Sequence, residues 1–149
     1  DVQSHLRIAS EPIASDLIPR GCADLILSSE PMESLRHLPF LASTGWVVTS
    51  MNPFVNIPNY PDAEALQREI SALPRCISFD ADTVAKQVQA AKASNVVMLG
   101  AASRFLMVSY QGLEDGIRAL FGRKGDEIVE MNLRALAAGR DIAEQTLGR

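Results

Sequence analysis

Residues 23–28 read ADLILS, and residues 29–38 after them read SEPMESLRHL. The first is a nearly continuous apolar run between polar residues, the pattern of a strand buried on both faces, as in a parallel sheet. The second opens like a helix. Pro31 suits the first turn, where a missing N–H costs little, and residues 32–38 carry Leu35 and Leu38 on one side with Glu33 and Arg36 elsewhere. A buried strand running straight into a helix is half of a βαβ unit, so this stretch points to an α/β class.

Downstream the same alternation continues. Gly45 interrupts the chain, and residues 46–51 (WVVTSM) form a β-branched strand. Residues 52–61 (NPFVNIPNYP) hold three prolines and three asparagines, which excludes a regular helix or a central strand and predicts a loop at a strand's C-terminal end. Asp62 is expected to cap a helix over 63–73, with Ala65, Leu66, Ile70 and Leu73 as its apolar stripe and Pro74 after it. Residues 76–79 (CISF) read as a short strand, and a helix starts near Thr83 with Asp82 as its expected N-cap. Residues 95–108 (NVVMLGAASRFLMV) are apolar nearly all round, which predicts a buried central helix or a subunit contact. Residues 110–121 are amphipathic, 122–125 (GRKG) turn the chain, and 126–147 form a long final helix. Upstream, residues 4–9 (SHLRIA) are expected to be a strand with Leu6 and Ile8 on one face, followed by a turn at 10–12 and a connector over 13–21. The sum is βαβα with parallel crossovers and a helical C-terminus: a Rossmann-like three-layer α/β domain with a mostly parallel sheet, taken as one domain over residues 1–149.

Composition excludes several classes. Of 149 residues 47% are hydrophobic and 21% charged, so the chain can bury a real core. Aromatics supply only 5%, which makes that core aliphatic. The net charge of −4 leaves no basic footprint for nucleic acid and no polybasic membrane patch. No apolar run approaches the ~20 residues that span a bilayer. Two cysteines make neither a disulfide framework nor a zinc set, and a reducing cytoplasm is the expected compartment. The chain opens on Asp1 without a signal peptide, and a segment upstream of it is expected.

Few residues offer chemistry. His5 and His37 lack neighbours at metal-ligand spacing and read as ordinary surface or core histidines. Cys22 and Cys76 are isolated and read as small apolar side chains. Asp80 lies where α/β sheets bind ligands, although capping explains the Asp80–Asp82 pair more cheaply. Ser28 to Pro31 also lies at a strand's C-terminal edge, where backbone N–H groups can meet an anion. The chain has no Gly-x-Gly-x-x-Gly, no P-loop and no Gly-x-Ser-x-Gly. The glycine-rich, basic Gly122–Gly125 run joins two helices and reads as a turn. No self-sufficient active site is legible, as expected of one part of a larger enzyme.

Three groups of segments carry a family likeness: residues 1–41 (DVQSHLRIASEPIASDLIPRGCADLILSSEPMESLRHLPFL), 52–61 (NPFVNIPNYP), and 94–103 (SNVVMLGAAS) with 121–140 (FGRKGDEIVEMNLRALAAGR). In this order, over essentially the whole chain, they resemble the gamma-type domain of 2-oxoacid:acceptor oxidoreductases, most of all the small (beta) subunits of the indolepyruvate:ferredoxin branch. The resemblance implies a division of labour. A large partner subunit holds thiamine diphosphate and iron–sulfur clusters, decarboxylates an aryl 2-oxoacid, passes electrons to ferredoxin and hands the acyl group to coenzyme A. This chain then carries no cofactor, no metal and no catalytic residue. Family members also begin with a glycine-rich strand-turn-helix, which is missing ahead of Asp1. By topology, Ser28, Glu30, Asn52 and Asp80 would face the active-site side of the complex, and Asn95 would belong to the same partner-facing set. The 95–108 segment and the 52–61 loop could each dock a partner or serve as core and ordinary loop. A free-standing Rossmann-like domain binding a nucleotide or coenzyme A is the alternative, and an independent hydrolase is weaker still.

Overall fold

The computed structural model describes residues 2–52 and 62–148. Among these residues three strands form one parallel sheet in the order β1 (Ala23–Ser28), β2 (Leu41–Ser50), β3 (Cys76–Phe79). Among the described residues six α-helices accompany them: α1 (Pro31–Arg36), α2 (Ala63–Ser71), α3 (Ala81–Gln87), α4 (Ser94–Ala102), α5 (Tyr110–Phe121) and α6 (Asp126–Leu147). The α1 and α2 helices touch each other and the sheet, while α3, α4 and α6 pack together with α4 against β2. The sheet is therefore sandwiched, and the predicted three-layer α/β architecture with parallel crossovers is the one observed.

Strand alternation divides the core between two faces. Val48 and Ile77, fully buried, join Ala81, Ala85, Val97, Ala101 and Leu136 in the larger cluster under α3, α4 and α6. Val47 and Thr49, which flank Val48 along β2, are also fully buried, as are Ile70 on α2 and Ser34 on α1. The central strand thus carries apolar residues on both sides, as its β-branched run requires.

Gly45 does not end a strand; β2 runs through it. Ala23 pairs with Leu41 and Leu25 with Trp46, so the residues between Leu41 and Trp46 bulge out of register. A side chain at Gly45 would press on Leu41 and on the Ala23 carbonyl, which is why glycine suits the bulge.

Three further expectations change. Residues 4–9 form no strand. Instead the Arg7 guanidinium donates to the carbonyls of Ser15 (2.6 Å) and Leu17 (3.4 Å), and His5 Nδ1 accepts the Ile18 N–H (2.9 Å). These side chains tie the segment to residues 15–18 in place of a ladder, and Leu6 and Ile8 stay exposed. The apolar 95–108 segment is not one helix. The α4 helix stops at Ala102, Ser103–Phe105 tightens into a 3-10 turn with Ser103 Oγ donating to the Gly100 carbonyl (2.6 Å), and Ser109 caps α5 by accepting the Gly112 N–H (3.0 Å). The α3 helix is capped by Asp80, not Asp82, because it begins at Ala81 and the Asp80 carboxylate reaches the Thr83 N–H. Asp82 lies in the first helical turn, where its charge complements the helix dipole. The 52–61 loop lies outside the described residues except for Asn52 at its start.

Candidate functional site

Parallel strands deliver their C-terminal ends to one edge of the sheet, the usual ligand and partner edge of open α/β folds. Here β1 brings Ser28, β2 brings Ser50 with Asn52 just beyond, and β3 brings Asp80. Each side chain is engaged locally. Ser28 Oγ donates to the Glu30 carbonyl (2.6 Å) and accepts the Glu30 N–H (3.2 Å), closing the turn from β1 into α1. Glu30, only 5% exposed, caps α1 by accepting the Glu33 N–H at Oε2 (2.9 Å).

The second cluster joins β2 to α3. Ser50 Oγ donates to Asn52 Oδ1 (2.6 Å) and accepts the buried Ala81 N–H (3.2 Å). Asp80 Oδ1 accepts the Thr83 N–H (2.9 Å). Its carboxyl is held below the ordinary aspartate range, chiefly by that Thr83 backbone N–H. The Thr83 and Asn52 side chains and the Asp82 N–H add to the effect, against a desolvation that opposes it. Asn52 therefore couples Ser50 to Asp80, and Asp80 is an ionised, exposed carboxylate at neutral pH. Asn95 is not brought to this group. It sits exposed in the first turn of α4, after α3 has carried the chain away from the C-terminal edge.

Beside β1 lies a cavity of about 290 Å³, lined by Ala23 and residues 25–30 of β1 and its turn, by Ile18, Glu33, His37 and Phe40, and by residues 2–5 of the N-terminal arm. Both histidines flank Phe40, His5 edge-on at 5.8 Å and His37 tilted at 6.2 Å between ring centroids. His37 Nδ1 lies 2.8 Å from the Glu33 carbonyl, and its Nε2 meets Gln3 Oε1 at 2.5 Å. His5 Nδ1 is an acceptor and carries no proton. Both rings act as fasteners for the arm.

Among the described residues no three His, Cys, Asp or Glu side chains converge as a metal-ligand set. Cys22 is exposed; Cys76, half-buried on β3, has its thiol pushed up to about 11 by burial. Two cysteines cannot furnish the four thiolates of an iron–sulfur cluster. The residues present do not fit that cofactor.

Ser50 is the site residue that the sequence reading passed over. A hydroxyl ending a buried β-branched run, two residues before an Asn-Pro, is the signal that marks it. The cavity was hidden because residues 4–9 read as a strand.

The comparisons with known proteins agree with this architecture. Residues 1–142 match the family described as pyruvate ferredoxin/flavodoxin oxidoreductase. The indolepyruvate oxidoreductase subunit IorB of Archaeoglobus fulgidus is 28% identical over 95% of this chain and 73% of its own length. The subunit of the same name from Thermococcus kodakarensis is 28% identical over 93% and 72%, and that from Pyrococcus horikoshii 29% over 88% and 68%. A solved 2-oxoglutarate:ferredoxin oxidoreductase from Magnetococcus marinus superposes with a TM-score of 0.64 at 19% identity, over 92% of this chain but only 22% of that one, a likeness of fold. With a match that runs from Asp1 through α6 as far as Ile142, and a sheet and helices arranged as in a solved ferredoxin-linked enzyme, the chain belongs to the pyruvate ferredoxin/flavodoxin oxidoreductase family.

Proposed function

We propose that this chain is the small, non-catalytic component of a cytoplasmic 2-oxoacid:ferredoxin oxidoreductase that acts on arylpyruvates such as indolepyruvate. Oxidative decarboxylation to the acyl-CoA then takes place on a large partner subunit that holds thiamine diphosphate and the iron–sulfur clusters. One observation carries this reading: the polar residues of the C-terminal edge are spent on one another and on backbone N–H groups. Ser28 and Glu30 close one turn, and Ser50, Asn52 and Asp80 close the next. Side chains so engaged hold an edge in shape, and among the described residues they leave no nucleophile–base pair poised for bond chemistry. The relatives' shared designation as subunits of indolepyruvate oxidoreductase supports the substrate class. Ser28, Glu30, Asn52 and Asp80 are the residues we place toward the partner's active site; Asn95 would meet a partner elsewhere on the surface.

Co-expression with a large thiamine-dependent subunit from the same genome tests the assignment. The tagged chain should retain that subunit through gel filtration, and only the pair should reduce ferredoxin with indolepyruvate and coenzyme A. Indolepyruvate oxidation by the chain alone, or failure of the two chains to associate, overturns it. A thermal-shift arm separates the rival reading: a free-standing nucleotide- or CoA-binding domain would gain about 2.7 kcal/mol at a hundredfold excess over Kd.

A further inference from the structure

We draw no further inference here: the strongest candidate, the cavity of about 290 Å³ between the edge strand β1 and the N-terminal arm, carries nothing because nothing in the structure shows what covers it.

Discussion

Asp80 and Ser50 show how single side chains set the C-terminal edge. Asp80 caps α3 through Thr83, and replacing such a cap by alanine costs about 1 kcal/mol. Because its pKa is lowered on folding, the contribution is complete above the unfolded-state value and fades as pH falls through the folded one. Urea titrations of Asp80→Ala should therefore show the full deficit at pH 7 and a shrinking one below about pH 4. Ser50→Ala should lose more, about 1–2 kcal/mol, since it leaves the buried Ala81 N–H without its acceptor. The lone tryptophan, Trp46, stacked on Phe105 at 4.8 Å, gives both titrations a fluorescence signal. Cys76 works in the opposite pH range. With its thiol at about 11 in the fold, the unfolded chain ionises first, so stability falls between about pH 9 and 11. Iodoacetamide at pH 8 should label the exposed Cys22 well before Cys76, as peptide mass mapping reads. Equal labelling of the two would contradict the burial of β3.

At the scale of elements, the decisive contact is between α4 and α6. Gly100 on α4 faces the Leu136 carbonyl, and Gly139 on α6 faces the Val97 carbonyl, so closely that a Cβ at either position would overlap the opposing backbone. Two helices crossing backbone to backbone need glycine at both points, because the obstacle is main chain and cannot rotate aside. Gly139→Ala should destabilise by about 3 kcal/mol, the upper end of ordinary overpacking. Gly148→Ala, near the end of the same helix, meets only the Glu144 carbonyl at 3.2 Å and serves as the mild control; equal denaturation midpoints for the two variants would refute the close crossing. This crossing also explains why the apolar 95–108 segment divides as it does. Val96, Val97, Met98, Ala101 and Ala102 are consumed by the chain's own core, while Met107, beyond the end of α4, is left exposed. The part of that segment within α4 is core, not a docking face.

For the whole molecule, what matters is which surfaces remain open. Six of the eight exposed large apolar side chains among the described residues fall within the first 27 positions: Val2, Leu6, Ile8, Ile13, Leu17 and Leu27. They lie on the N-terminal arm and on β1, one of the two edge strands of the sheet among the described residues. In the opposite layer α6 buries its stripe, turning Val129, Leu136 and Ala143 inward and Glu130, Arg134 and Glu144 outward. Apolar exposure is thus concentrated at one end of the molecule, while the polar C-terminal edge is internally satisfied. The predicted association with a large subunit belongs to this scale, and its readout is co-elution rather than any property of one residue.

Local chemistry was enough to read most elements. Apolar runs bounded by polar residues placed β1 and β3, helical spacing placed α5 and α6 with the same limits the structure shows, and proline and glycine marked the connections. Those signals are carried by neighbours in sequence, and no distant contact is needed to interpret them. Family membership was legible for the same reason, in segments that keep their order along the chain. Tertiary structure decided the rest. Whether residues 4–9 become a strand depends on a pairing partner, and alternation in the sequence cannot supply one. Whether Asp80 or Asp82 caps α3 depends on where the helix leaves the sheet. The Ser50–Asn52–Asp80 link exists only because two parallel strands end side by side, and the close helix crossing only because Gly100 and Gly139, 39 positions apart, each lie against the backbone of the other's helix. Periodicity is a property of neighbours along the chain; contact between distant residues is a property of the packed molecule.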